Sequence, residues 1–229
     1  KMPEVNWEDL QKFKYKFTGA IPAATEKDLA ALGIKMYHQS PKFLDENTLS
    51  VEGKTVKTKK IVIATGNKPM PLKIPGAELM LNSDDFLELE KLPESMIFIG
   101  AGYIGMEFAH IAARLGVEVT VIDTEPRPLS NFDEDMVAHL TEASEAIGIK
   151  FIFNAKASKV EKLRKYLRVT AETKNGEEIS AKAELIFNTA GRVPSIDELE
   201  LEKGNVALTN KGISVNEHLQ NTTNPSVYA

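Results

Sequence analysis

Three glycines and one acid are the residues of this chain whose types and spacing could do chemistry. Gly100, Gly102 and Gly105 form G-x-G-x-x-G within "SMIFIGAGYIGMEFAHIAARLGVEVTVID", and Asp123 closes that stretch. The motif follows an apolar run, Met96 to Ile99. It opens a segment whose apolar residues recur at Ile104, Phe108, Ile111, Ala112 and Leu115, a helical stripe. Strand, tight turn and helix in that order gather backbone N–H groups and the positive end of a helix dipole at one point, which is chemistry for a pyrophosphate. Each residue then has a task. Gly100 permits the turn, Gly102 lets a phosphate approach the backbone, and Gly105 lets helix and strand pack closely. Asp123, about 20 residues on, sits where a carboxylate accepts bonds from ribose hydroxyls. The competing explanation is that the glycines serve packing alone.

Other chemistries find less support. The chain has no cysteine, so it offers no disulfide, no thiolate nucleophile and no Cys-based metal site. Its four histidines, His38, His110, His139 and His218, are scattered without metal-ligand spacing. Asp84-Asp85 and Asp133-Glu134-Asp135 read as helix starts rather than acid–base pairs. A net charge of −5 argues against nucleic acid as the partner, so the alternating lysines and aromatics of Lys12 to Phe17 read as a strand or helix edge with lysines in solvent. No apolar run approaches the roughly 20 residues that span a bilayer, and a cytoplasmic setting is expected. Within "DTEPRPLS", Asp123 and Glu125 would repel a 2′-phosphate and Arg127 alone could attract it, so NAD is expected in preference to NADP.

The elements that must position these residues follow from periodicity. Thr25 and Asp28 suggest a capped helix ending at Gly33. Short strands come next, residues 34–40, 42–53 and 54–66, with Leu49, Val51 and Val56 alternating as in an antiparallel meander. Ile61 to Ala64 reads as a strand buried on both faces. The linker "GNKPMPLKIPG" looks like a domain crossing. Ser83 opens a short helix, and residues 95–187 then alternate strand and helix before and around a second meander, with a hairpin turn at Lys174-Asn175-Gly176. This is an α/β pattern that demands a parallel sheet.

Three further stretches, "IVIATG" (Ile61 to Gly66), "NTAGRVP" (Asn188 to Pro194) and the closing "GISVNEHLQNTTNPSVYA", stand in order around the glycine motif. Together they resemble the flavoprotein pyridine nucleotide–disulfide oxidoreductases, the group of glutathione reductase, dihydrolipoamide dehydrogenase and mercuric reductase. The resemblance implies a Rossmann-like NAD(P)-binding domain with a β-meander, inserted in an FAD domain that is here incomplete: residues 1–80 as its second part, 81–190 as the NAD(P) domain, and 191–229 as the return. It implies that Tyr103 covers the flavin face and Glu107 sits beside the nicotinamide, the catalytic pair. It implies a cofactor-binding set of Gly100, Gly102, Tyr103, Ile104, Gly105, Glu107, Asp123, Thr124, Arg127, Ala190, Gly191 and Arg192, with Ala64, Thr65 and Gly66 toward the flavin diphosphate. No metal is implied. Tyr103 as a helix-surface cap, Glu107 as a helix-dipole partner and Arg192 as an interface ion pair are the plainer alternatives.

The departures matter as much. The family's first FAD motif, its C-x4-C redox pair and its C-terminal dimerisation domain have no counterpart, all beyond the two ends, and the chain opens on Lys1 and closes inside the apparent strand "SVYA". A central fragment is therefore expected, binding NAD(H) weakly, lacking stable FAD and inactive alone. Its full-length parent would be a homodimer passing hydride from NAD(P)H to FAD and on to a small-molecule disulfide or another acceptor. A cysteine-free flavin NADH oxidase, transhydrogenase or carrier reductase, and a non-catalytic NADH-binding module, are the alternatives.

Overall fold

The structure, a computed structural model, describes residues 5–229. The chain divides into two compact units. One joins the segment ending at Thr18 to Pro69–Gly191, and the other joins Gly19–Lys68 to Arg192–Ala229. The N-terminal end of the segment expected over residues 1–80, residues 1–4, lies outside the described residues.

The first unit is built on a parallel sheet in the order Leu185–Asn188, Ser95–Ile99, Glu118–Ile122, Lys150–Ile152. Successive side chains of a strand point to opposite faces, and here each face meets a different layer. Met96, Phe98, Val119, Val121 and Phe187 pack toward helix Tyr103–Arg114 through Met106, Phe108, Ala109 and Ala112. Ile97, Ile99, Ile122 and Ile186 pack instead on the antiparallel meander Ala155–Lys162, Leu167–Thr173 and Glu178–Ala183, through Ala157, Val160, Val169 and Ala183. A parallel sheet covered on both faces explains why its strands read as continuous apolar runs. At the centre of the helical layer Phe86 stacks on Phe108, with ring centroids 4.2 Å apart, and meets Phe98, Phe187 and Trp7 edge-on. Burying a phenylalanine of this kind contributes about 1.5–3 kcal/mol.

Caps set the helix ends. Asp133 caps helix Glu134–Ala146 by accepting from the Met136 amide at 3.1 Å. Asn82, one residue ahead of the expected Ser83, caps helix Ser83–Leu87 in a capping box with Asp85. The hairpin turn at 174–176 forms as expected, with the Gly176 amide donating to the Thr173 carbonyl and Gly176 at φ 79.

The compact units depart from the expected boundary at residue 81. Residues 69–80 belong with the sheet because Leu72, Ile74, Leu79 and Met80 pack against its meander-side core. The residues around Lys12 to Phe17 form helix Trp7–Thr18, which docks on the same unit. Trp7 donates to the Leu89 carbonyl at 2.7 Å, and Lys14 pairs with Glu88 at 2.9 Å.

The second unit carries the first meander, Lys42–Asp45, Thr48–Val51 and Lys54–Lys57, over a core of Phe43, Ile61, Leu199, Leu201, Val206 and Val227. Three expectations are corrected there. The helix runs Ile21–Ala31, starting at Ile21 with Pro22 in its first turn rather than at Thr25, since proline suits a first helical turn. Residues 34–40 form no strand. The strand expected over Ile61 to Ala64 is only Ile61–Val62. It pairs with Val227–Tyr228, and Val62 is 73% exposed, on the face opposite the one by which Ile61 joins the core.

Candidate functional site

The glycine turn lies at the carboxyl end of the central strand. Gly100 donates to the Ile122 carbonyl (2.8 Å) and adopts φ 109, a conformation side chains disfavour. A methyl there would sit 2.6 Å from Ala190 Cα. Gly105 is confined differently: a Cβ would fall inside contact distance of the Gly100 carbonyl oxygen and 2.8 Å from Thr189 Oγ1. Gly102 has the opposite environment, with nothing within 4 Å of an added Cβ. It begins helix Tyr103–Arg114 in extended conformation with no side-chain cap, and among the described residues the amides of Tyr103, Ile104 and Gly105 have no acceptor. Unmet first-turn donors facing an open surface can receive an anion.

Buried Thr189 locks the turn from the other side, its hydroxyl lying 3.1 Å from the Ile99 carbonyl oxygen and 2.8 Å from that of Gly100. Asn188 ties the 69–74 segment to this edge by donating to the Met70 carbonyl at 2.7 Å. Asp123 leaves the next strand with one carboxylate oxygen accepting from the Ala101 amide and the other from the Glu125 amide at 2.8 Å. It therefore reaches back into the glycine loop as well as facing the cleft.

A cleft of about 550 Å³ runs along these strand ends. Of the expected residues, Gly100, Gly102, Asp123, Thr124, Ala190 and Gly191 line it. An adjoining hollow of about 210 Å³ is lined by Gly102, Tyr103, Asp123 and Arg127. Ile104, Gly105 and Glu107 line neither. Tyr103 is 59% exposed on the first helical turn, and Glu107, one turn on, shares its face in solvent. Within that hollow the Arg127 guanidinium donates to the carbonyls of Leu129, Ser130 and Phe132. Ala64, Thr65, Gly66 and Arg192 belong to the second unit. Gly66 accepts from the Ser195 amide at 2.9 Å, and Arg192 donates to the Asn67 carbonyl.

The cleft's other walls escaped sequence reasoning. Met70, Leu72 and Ile74 come from the proline-rich linker, and Lys156 from the meander. The alternation of apolar residues with proline in "MPLKIP" was the available signal. No group of three or more His, Asp or Glu side chains that could hold a metal occurs among the described residues.

Comparison with known proteins gives this geometry its relatives. The chain is 32% identical to dihydrolipoyl dehydrogenase of Bacillus subtilis over 98% of its own length and 50% of that protein's. It is 30% identical to glutathione reductase of a Nostoc species over 99% and 51%, and 33% identical to mercuric reductase of Bacillus cereus over 86% and 31%. It thus spans about half the length of the first two. Its fold superposes on the HOCl-induced flavoprotein disulfide reductase RclA from Escherichia coli with a TM-score of 0.90 at 23% identity, covering 99% of this chain and 52% of that one. The description of one family, pyridine nucleotide-disulphide oxidoreductase, matches residues 16–229, a span that holds the second compact unit and the whole glycine cleft, and the chain belongs to that family.

Proposed function

We propose that this chain carries the nicotinamide-dinucleotide-binding segment, and part of the flavin-binding segment, of an FAD-dependent NAD(P)H oxidoreductase that reduces a disulfide, with NAD(H) preferred. The observation that carries the reading is the meeting, in one cleft, of an uncapped helix N-terminus at Gly102 with the Asp123 carboxylate. The open space at Gly102 fits a pyrophosphate, and the unmet amides of Tyr103, Ile104 and Gly105 supply its donors. Asp123 keeps acceptor capacity for ribose hydroxyls while bonding two amides. Glu125 stands in the cleft wall beside Asp123 and Arg127 is committed to its own loop, which disfavours a 2′-phosphate at the ribose, while Lys73 and Lys156 are the cations that line the same cleft. Thr124, Ala190 and Gly191 complete the nucleotide side. Tyr103 and Glu107 would meet the nicotinamide end from one helix face, and Ala64, Thr65, Gly66 and Arg192 would serve the flavin side.

When bound, the nicotinamide supplies a hydride that the flavin accepts and passes on as electrons to the acceptor. This chain's residues bind and orient that donor. For the whole protein the proposal includes a homodimer, a small-molecule disulfide as acceptor and a cytoplasmic setting. No helix among the described residues is long and apolar enough to cross a membrane. The test is a titration of the 229-residue chain with NADH and with NADPH, followed by nicotinamide fluorescence. Tighter binding of NADH supports the reading, equal affinities refute the preference, and no binding of either refutes the nucleotide site.

A further inference from the structure

Sequence chemistry made Arg127 the one cation able to attract a phosphate beside Asp123, yet the structure gives that cation other partners. Its Nη1 donates to the Leu129 carbonyl at 3.2 Å, and its Nη2 donates to the carbonyls of Ser130 at 2.9 Å and Phe132 at 3.0 Å. Its Nε lies 3.9 Å from a Glu134 carboxylate oxygen. A planar guanidinium with five fixed donors suits the gathering of several carbonyls. The loop it gathers is strained: Leu129 sits at φ 48, in the left-handed region, where a leucine does not settle unless its surroundings hold it.

That strained residue touches the glycine loop. The Leu129 amide donates to the Ala101 carbonyl at 3.0 Å, while the Ala101 amide donates to Asp123. Ala101, the residue between Gly100 and Gly102, is thus clamped on both its polar groups. We infer that Arg127 is a positioning residue: by holding Leu129 in its left-handed conformation it fixes Ala101, and so aims the first-turn amides of helix Tyr103–Arg114 at the open face of Gly102. The inference rests on the nucleotide reading above and assigns Arg127 to loop geometry instead of phosphate contact. A positioning residue acts on every nucleotide that uses the loop alike. A phosphate ligand acts on the nucleotide carrying the extra phosphate and steepens the dependence of binding on salt.

The experiment compares the full wild-type chain with Arg127→Gln and Arg127→Lys, by titration with NADH and NADPH at two salt concentrations and by amide hydrogen exchange. Arg127→Gln should weaken both nucleotides by the same factor, about tenfold, as expected for loss of charge-assisted bonds that hold the loop. Its salt dependence should match the wild type, and exchange at Ala101 and Leu129 should rise. Arg127→Lys, which keeps donors for two carbonyls, should recover part of the affinity and of the protection. Selective loss of NADPH affinity, or a flatter salt dependence, would overturn the inference. So would lost affinity without faster exchange at Ala101 and Leu129, or faster exchange with affinity unchanged. A wild-type chain that binds neither nucleotide would refute the cofactor reading on its own, and the exchange rates would still decide whether Arg127 holds the loop.

Discussion

Adding one methyl at Gly102 and one at Gly105 should separate binding from folding. The two positions are three residues apart, yet their surroundings are opposite. At Gly105 the new carbon would press on the Gly100 carbonyl, a backbone atom that cannot swing away, and lie 2.8 Å from Thr189 Oγ1, tighter than real Cβ contacts allow. Overpacking of this kind costs about 1–3 kcal/mol. At about 2–4 °C per kcal/mol for a chain of this size, Gly105→Ala should lower Tm by about 2–12 °C. At Gly102 the carbon meets no protein atom within 4 Å, and its φ of −72 suits alanine. Alanine is a poorer N-cap than glycine but restricts the unfolded chain, so the terms nearly offset and stability should stay within about 1 kcal/mol. The methyl would occupy the face where a pyrophosphate must approach. Losing one or two charge-assisted bonds there should raise the Kd for NADH by about 10–100-fold. Thermal denaturation read by circular dichroism and NADH fluorescence titration on the same samples give both numbers. A Gly102→Ala chain that binds NADH as tightly as the wild type refutes the reasoning, and so does one that melts several degrees lower.

Other expectations come from single contacts. Asp123→Asn keeps one acceptor for the Ala101 amide but loses the charge facing ribose, so paired titrations should show NADH weakened by about tenfold and the NADH-to-NADPH preference narrowed. An unchanged preference would place its origin elsewhere. Thr189→Val removes the hydroxyl that serves the Ile99 and Gly100 carbonyls while keeping the shape, and should cost about 1–2 kcal/mol in denaturant unfolding. A variant as stable as the wild type counts against that lock. His110 contacts Ser144 Oγ at 2.8 Å between two helices, and burial, with Arg114 as the lesser cause, lowers its pKa. Because the folded value lies below the unfolded one, the unfolded ring takes up its proton first. The stability contributed is full above about pH 6.5 and is lost as pH falls from there toward the folded value. Between pH 7.5 and 5.5 the wild-type Tm should therefore fall more than that of His110→Gln, and parallel curves would dismiss the effect.

How far each residue's role could be read from sequence depended on where its partners come from. The strand from Ser95, the helix from Tyr103, the turn at Gly100 and the close packing at Gly105 were legible, because apolar runs, helical period and the lack of a Cβ act within a few residues. The strands' two apolar faces were legible as burial, but which layer covered each was not, since the meander packed on Ile97 and Ile99 lies some sixty residues downstream. The linker read as a crossing because prolines punctuate it; its Leu72 and Ile74 became cleft wall only through the neighbours that the fold supplies. Helix Trp7–Thr18 hid for a related reason. No residue of it is buried, and its anchors are bonds from Trp7 and Lys14 to a segment more than seventy residues away. Ile61 and Val62 illustrate the converse, where β-branched composition signals a strand but cannot say how many neighbours pair with it. Arg127 marks the limit most sharply. Its charge was visible and its proximity to Asp123 was correct, but its partners are backbone carbonyls, which every residue type possesses and no composition records. A charged side chain next to a binding motif is thus ambiguous between ligand contact and loop geometry until its donors are traced to their acceptors. In this loop the strained φ of Leu129 favours geometry, because a conformation that costs energy persists only where its surroundings hold it.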